Sequence, residues 1–235
     1  MSILFLDIET IPSQTPGALE AIRQTIKHPG NISKPDTVAK WYEEHADAVA
    51  EEQYRKQSFD GALGEIISIA WANDDSEINV NYRCDTNETK LLKDFFKALD
   101  SLKDDNGNRI IISRWCGHYI SDFDLRFLWK RCVILGVRPP IQIPYDAKPW
   151  DDAIFDTKTQ WTGSSSHYTG VGSLDALAKA FGLAGKDGDL KGSNVYDFWL
   201  AGRFEEIVEY NKNDVYLCRE LFRRMNFVGD ISDDF

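Results

Sequence analysis

The polar and apolar residues at the start of the chain alternate in a way that predicts a buried strand. Residues 3–6 are apolar, Asp7, Ile8 and Glu9 alternate in polarity, and the pattern stops at Pro12. A short apolar run with such a boundary is typical of a strand inside a sheet. Because side chains two positions apart on a strand point to one face, Asp7 and Glu9 should project together, with Ile8 on the other face.

Further strands and helices follow from the same two periodicities. The predicted strands are residues 65–72, 77–82, 109–115 and 153–157, and the first two of these form a hairpin. The predicted helices are residues 86–102, about 122–135, 174–181, 195–200 and 204–225. This order predicts a mixed α/β fold, with antiparallel leading strands in a central sheet and helices on both of its faces.

The stretch between the first strand and the hairpin interrupts this order. Residues 18–27 and 36–56 have helical character, and mixed charges cover the longer segment. We predict a single domain over residues 1–235, with a helical insertion at about 13–64. Two interpretations of the insertion stay open, a solvated helical flap and a lid over a substrate. The Gly- and Ser-rich residues 163–172 and the acidic tail to residue 235 are expected to be mobile.

The composition indicates a globular protein. The 235 residues are 43% hydrophobic, which is enough for a core. No apolar run is long enough to cross a membrane, and the first residues lack the features of a signal peptide, so a cytoplasmic protein is expected. The four cysteines form no CxxC pair, and we expect them to be reduced and mostly buried.

The net charge of −11 limits the ways in which the chain can bind nucleic acid. It argues against charge-driven binding over the whole surface. Asp7 and Glu9 repel each other unless a cation lies between them, and hard divalent cations take oxygen ligands. Acidic ligands filled by such cations attract phosphate, so any contact with nucleic acid is expected to be local.

Two further carboxylates occur at positions suited to chemistry. Asp124 opens a predicted helix, where a carboxylate faces free backbone N–H groups and the positive end of the helix dipole. The alternative is a simple helix-capping acid, a role for which Asp122 is the better candidate. Tyr210 and Asp214 lie four residues apart and therefore share one face of the last predicted helix.

Together these motifs resemble a known enzyme family. Asp7-x-Glu9, Phe123-Asp124 and Tyr210-x-x-x-Asp214 occur in the order found in the DEDDy group of 3′-5′ exonucleases, which has a ribonuclease H-like fold. The chain is more closely similar to a family of stand-alone proteins that resemble the exonuclease domain of family B DNA polymerases. Further stretches that fit this family are residues 63–67, 128–131, 173–178 and 191–193.

The resemblance implies a metal-dependent 3′-5′ exonuclease that cuts single-stranded or frayed DNA ends to nucleoside 5′-monophosphates. It implies two divalent ions, Mg²⁺ or Mn²⁺, held by four carboxylates. In the implied roles, Asp7 bridges the ions, Glu9 and Asp214 complete the site that activates water, Asp124 holds the second ion, and Tyr210 orients the attacking water. Single-stranded DNA 3′ ends are the implied partner, and a separate DNA polymerase or replication protein is a further candidate.

Two alternatives to this function stay open. One is a catalytically weak module of the same fold that binds nucleic acid or a replication protein. The other is an exoribonuclease, since the contact that separates RNA from DNA cannot be located in the sequence.

Contacts with nucleic acid are expected close to the acidic residues. The candidates are Thr10, Ile11, Tyr119, Phe123 and Arg126. Aromatic side chains here could stack on a terminal base, with core packing as the alternative for Phe123. Arg126, Lys130, Arg131 and Arg138 are candidates for phosphate contacts, with surface solvation as the alternative. Many relatives carry Asn where this chain has Tyr119, a departure that concerns substrate positioning and not metal binding.

Overall fold

A five-stranded mixed sheet forms the centre of the computed structural model, which describes residues 2–148, 150–163, 170–185 and 188–228. The strands are β1 (Ser2–Ile11), β2 (Glu65–Asn73), β3 (Asn79–Tyr82), β4 (Ile112–Gly117) and β5 (Ile154–Asp156). They lie in the order β3-β2-β1-β4-β5. β2 is antiparallel to β1 and β3, whereas β4 is parallel to β1 and β5. The predicted mixed α/β fold with antiparallel leading strands is confirmed.

Helices connect and cover the strands. Within the described residues they are α1 (Ala18–Arg23), α2 (Pro35–Arg55), α3 (Glu88–Asp100), α4 (Asp124–Leu135), α5 (Thr157–Thr162), α6 (Leu174–Ala180), α7 (Val195–Leu200) and α8 (Phe204–Met225). The sequence pattern does not predict α5, which begins where the Asp156 side chain accepts hydrogen bonds from the N–H groups of Lys158 and Thr159. None of the helices in the described ranges is long and apolar enough to cross a membrane.

Alternation along β1 separates the two faces of the sheet. Leu4, Leu6 and Ile8 pack into an apolar core that α3 and α4 complete. Phe5 points to the opposite face, where its ring meets that of Phe222 on α8 at a centroid distance of 5.4 Å. Since side chains alternate along a strand, Asp7 and Glu9 continue the Phe5 side and face α8. Helices therefore lie on both faces of the sheet, as predicted.

The segment between β1 and β2 has a small apolar core of its own. Ile26 contacts Ala46 and Ala50 of α2, and side chains of α1 pack around them. The C-terminal end of α2 is attached to α7, where the Arg55 guanidinium lies 2.8 Å from the Asp197 carboxylate. Both helices predicted in this segment are present, although α1 ends earlier than expected.

Two sequence predictions about mobility fall partly or wholly on undescribed parts of the chain. Most of residues 163–172, and the acidic tail beyond residue 228, lie outside the described residues. The cysteines, in contrast, are all described. Cys116, Cys132 and Cys218 are buried and Cys84 is exposed, which confirms the expectation that the cysteines are mostly buried.

Candidate metal centre

Asp7, Glu9 and Asp214 meet on the face of the sheet that α8 covers. Each offers one carboxylate oxygen, and these three oxygens all lie within 4.8 Å of one another. Glu9 and Asp214 are buried, and Asp7 is half-buried. The alternation of β1 aims Asp7 and Glu9 at α8, and α8 supplies Asp214 from a position next to its buried stripe.

The donor set of this cluster fits a hard divalent cation. All three donors are carboxylate oxygens, the ligand type preferred by Mg²⁺ and Mn²⁺, and no sulfur or imidazole is part of the cluster. Three carboxylates this close repel one another without a cation, and burial weakens the screening by water. A divalent cation bound by this cluster would therefore stabilise the folded protein.

The Asp124 carboxylate lies beside this cluster and is directed at the backbone of β1. Its Oδ1 accepts a hydrogen bond of 3.0 Å from the Ile8 N–H. The pairing of β1 with β4 ends at Phe5 and Cys116. Asp124 therefore provides the hydrogen-bond acceptor for the N–H of Ile8, which lies beyond the last paired residues. Burial raises the pKa of Asp124 to about 7, although hydrogen bonds from backbone N–H groups act in the opposite direction.

The expectation that Asp122 caps α4 is wrong. The N-cap position is occupied by Phe123, which provides no side-chain hydrogen bond. Asp122 instead forms an exposed ion pair with Arg126, one turn later, at 3.3 Å. The beginning of α4 is thus fixed mainly by the loop that precedes it.

That loop, residues 117–123, is held by close packing and by the buried Asp156. A side chain at Gly117 would come within 2.7 Å of the Leu6 carbonyl oxygen, so only glycine allows β4 to approach β1 here. The Asp156 carboxylate is fully buried and accepts hydrogen bonds from the N–H of Tyr119 (2.9 Å) and from the N–H and hydroxyl of Ser121. These contacts define the path of the chain into Asp124.

Tyr119 adopts a backbone conformation that is unusual for its residue type. Its φ is +64°, in the left-handed region that a side chain with Cβ disfavours. Asparagine is the ordinary residue, other than glycine, for this region. The Tyr119 ring is 41% exposed, and the Lys158 ammonium lies 3.8 Å from its centre.

Tyr210 lies on α8, one turn before Asp214, and is half-buried. The helical period places Tyr210 and Asp214 on the same face of α8, the face directed at β1 and β2. Tyr210 therefore projects from the side of α8 that carries Asp214.

The structure separates the residues predicted to contact nucleic acid. Ile11 is fully buried against Ile67 and Phe198, so the predicted contact by its side chain is wrong. Thr10 is half-buried and donates its hydroxyl hydrogen bond to the Ser58 carbonyl at 2.7 Å. Phe123 packs partly on the core that α3 and α4 complete.

The cationic candidates differ in the same way. Arg126 is exposed and close to the start of α4. Lys130 is paired with Asp60 at 2.5 Å. Arg131 is buried and pairs with Glu88 at 2.6 Å, which fits neither a phosphate contact nor surface solvation. Arg131 lies on the side of α4 that packs against the protein core. Its charge alone does not indicate this burial.

Two polar residues of the site are missed by the sequence analysis. Asn211 and Ser68 are buried next to Asp7, and Asn211 hydrogen-bonds the Asp7 carboxylate. The sequence does contain one signal for Asn211. It is a polar residue on the buried face of α8, three residues before Asp214, and a buried polar side chain needs a hydrogen-bond partner.

Comparison with known proteins agrees with this arrangement. A family model described as a predicted 3′-5′ exonuclease related to the exonuclease domain of PolB matches residues 59–234. The chain belongs to this family. The matched region contains Asp124, Tyr210 and Asp214, whereas Asp7 and Glu9 precede it. No curated protein matches the chain.

A solved structure supports the fold of this exonuclease family member. The family B DNA polymerase of the hyperthermophilic archaeon Pyrobaculum calidifontis superimposes with a TM-score of 0.57 over 96% of the chain, at 16% sequence identity. The chain spans 24% of the length of that polymerase. At this identity the likeness shows the fold, a ribonuclease H-like mixed sheet with helices.

Proposed function

We propose that the protein is a metal-dependent 3′-5′ exonuclease that removes nucleotides from single-stranded or frayed DNA ends. The observation that carries the proposal is the cluster of Asp7, Glu9 and Asp214, whose carboxylate oxygens lie within 4.8 Å of one another. Membership in a family of predicted 3′-5′ exonucleases supports the reaction class. The family gives the class of reaction, and we add to it the preference for DNA and the use of two metal ions.

The side chains divide the chemistry among themselves. Asp7, Glu9 and Asp214 would hold divalent cations, with Asp124 contributing from the first turn of α4. Two such ions, when bound, make water nucleophilic at neutral pH and stabilise charge on the leaving oxygen. The Tyr210 hydroxyl would donate or accept the hydrogen bond that orients the attacking water. The carboxylates also attract the scissile phosphate only when cations fill them.

The exposed part of the site suits a free end. Tyr119, which belongs to the loop that leads to Asp124, has a partly exposed side chain. An unpaired terminal base can stack on such a ring, whereas a paired base must first be unstacked, at a cost of a few kcal/mol. With a net charge of −11, the surface offers little long-range attraction for the rest of the strand. We therefore propose distributive trimming, one nucleotide per encounter.

The test is a nuclease assay on the full chain with 5′-labelled single-stranded DNA, and with RNA of the same sequence, in Mg²⁺, Mn²⁺ and chelator. We expect ladders of shortened DNA in both metals, no cutting in chelator, and slower cutting of blunt duplex. Asp214→Ala should abolish cutting, whereas Glu209→Ala, which removes an exposed acid of the same helix, should not. Faster cutting of RNA would favour an exoribonuclease.

Other outcomes would contradict the proposal. Efficient cutting of circular single-stranded DNA would exclude an exonuclease, since a circle has no end. Binding of single-stranded DNA without any cutting in either metal would favour the non-catalytic module of the same fold. Persistence of activity in Asp214→Ala would place the chemistry elsewhere.

A further inference from the structure

Asn211 connects the carboxylate cluster to the neighbouring strand β2. Its Nδ2 donates to Oδ2 of Asp7 at 2.6 Å, and its Oδ1 accepts from the Ser68 hydroxyl at 2.7 Å. Asn211 is fully buried and Ser68 is 1% exposed. The chain Ser68–Asn211–Asp7 thus links β2, α8 and β1 through three side chains, away from solvent.

The direction of these hydrogen bonds follows from the chemistry of the groups. An ionised carboxylate can only accept hydrogen bonds, so Asn211 has to present its NH₂ group to Asp7. Its carbonyl then faces Ser68, whose hydroxyl must donate. Reversing the amide would set oxygen against oxygen at Asp7. The carboxylate therefore selects the orientation of the amide, and the hydrogen bond from Ser68 restrains the amide so that it holds the carboxylate in place.

The register of the sheet brings Ser68 to the correct place. Ser68 is the direct partner of Glu9 in the antiparallel pairing of β1 with β2, and Asp7 is the partner of Ala70. Paired residues share a face of a sheet. Ser68 therefore lies on the same face as Asp7 and Glu9, the face that is covered by α8. Asn211 lies three residues before Asp214, so a single helix carries a carboxylate of the cluster and the amide that holds another.

We propose that Asn211, supported by Ser68, is a positioning residue that holds the Asp7 carboxylate in the orientation required for divalent-cation binding. The inference rests on the proposed function, in which Asp7 holds cations. The hydrogen bond from Nδ2 restrains Oδ2 of a carboxylate that also offers one oxygen to the cluster. Partners behind metal ligands restrict ligand rotation, and their removal typically lowers metal affinity or activity by about 10–100-fold.

The experiment measures Mn²⁺ affinity by the loss of the free-ion EPR signal, together with the single-turnover rate on single-stranded DNA. Asn211→Ala should weaken Mn²⁺ binding by about 10–100-fold. Ser68→Ala leaves both Asp7 and Asn211 in place and should weaken binding by about 2–10-fold, the factor that corresponds to one neutral hydrogen bond. Ser68→Thr keeps the hydroxyl and should restore the wild-type affinity.

Asn73→Ala is the matched control, because Asn73 is also a buried amide on β2 with hydrogen bonds to Ser2 and Asp74. It should reduce stability without changing Mn²⁺ affinity. Each variant is compared at a temperature where far-UV circular dichroism shows it folded, so Ser68→Ala tests the proposal even where Asn211→Ala does not fold.

The outcomes separate this inference from the proposed function. Wild-type Mn²⁺ affinity and rate in folded Asn211→Ala and Ser68→Ala would overturn the positioning role while leaving the exonuclease assignment intact. A wild-type protein that binds Mn²⁺ but cuts no DNA would contradict the proposed function, and the affinities of the variants would still decide the role of Asn211. A wild-type protein that binds no Mn²⁺ would overturn both.

Discussion

The Asp124 carboxylate accepts a hydrogen bond from the backbone N–H of Ile8, the residue between Asp7 and Glu9 on β1. This contact joins the start of α4 to the strand that carries two of the clustered acids. A shift of the loop before α4 would therefore move a candidate ligand and also leave a strand N–H without its acceptor, so the position of Asp124 is coupled to the integrity of β1.

The raised pKa of Asp124 predicts a pH-dependent stability in the metal-free protein. Burial raises its pKa to about 7, whereas an unfolded Asp titrates near about 4. The folded state thus binds the proton more tightly, and the free energy of unfolding should fall as pH rises between these two values. Urea denaturation in chelator at several pH values measures this slope. Asp124→Asn should flatten it, and parallel curves for both proteins would contradict the prediction.

Divalent cations should stabilise the folded protein. Cations remove the repulsion among Asp7, Glu9 and Asp214, and a ligand that binds only the folded state raises the melting temperature by mass action. A thermal melt in millimolar Mn²⁺ should show a higher Tm than a melt in chelator. Asp7→Ala should lose this shift, whereas Glu209→Ala should keep it. An equal shift in Asp7→Ala would argue that Mn²⁺ binds elsewhere.

Tyr210→Phe should lower the rate of DNA cutting and leave the Mn²⁺-dependent rise in Tm unchanged. The variant keeps the aromatic ring at this position of α8 and loses only the hydroxyl that is proposed to orient water. Removal of one positioned hydrogen-bonding group typically costs about 10²–10³-fold in kcat. Tyr216→Phe, an exposed tyrosine on the same helix, is the control and should cut at the wild-type rate. Wild-type kcat in Tyr210→Phe would remove the assigned role.

Tyr119→Asn should increase the free energy of unfolding. The native φ of +64° disfavours Tyr by about 1 kcal/mol or more, whereas Asn tolerates this region. Loss of the Lys158 contact offsets part of the gain, by about 0.5–1 kcal/mol. Tyr119→Ala keeps the strain but loses the ring, and should destabilise the protein. Urea unfolding of the three proteins decides the order, and the prediction fails if Tyr119→Asn is no more stable than the wild-type protein.

Glu88→Ala should be strongly destabilising. Glu88 and Arg131 form a buried ion pair at 2.6 Å, and the Glu88 carboxylate also accepts the Ile66 N–H. Removal of one partner leaves a buried charge without compensation, which typically costs about 3–5 kcal/mol. Asp94→Ala breaks an exposed pair with Lys90 on the same helix and should cost about 0.5 kcal/mol or less. Similar melting temperatures of the two variants would contradict the burial argument.

The parts of the site that the sequence predicts depend on local geometry. Asp7 and Glu9 share a face because a strand has a period of two, and Tyr210 and Asp214 share a face because a helix has a period of 3.6. These rules need no knowledge of the rest of the fold. The same rules predict the core helices and the hairpin of β2 and β3.

The parts that the sequence did not predict depend on contacts between distant elements. Ile11 and Arg131 are adjacent to site residues in sequence, but the packing of α7 and α3 buries them. Asn211 is significant because β2 places Ser68 behind it, a relation set by the register of the sheet. The short helix α5 depends on Asp156, which caps α5 and also holds the loop before Asp124.

The hydrogen bond from Asn211 to Asp7 joins residues 204 positions apart in the chain. During synthesis β1 leaves the ribosome early, but its acidic face has no counterpart until α8 has been made and has docked. The growing chain therefore carries two exposed acids and no assembled centre for most of its translation. The carboxylate cluster can therefore form only after α8 has docked on the sheet, so the candidate metal centre is completed in a late step of folding.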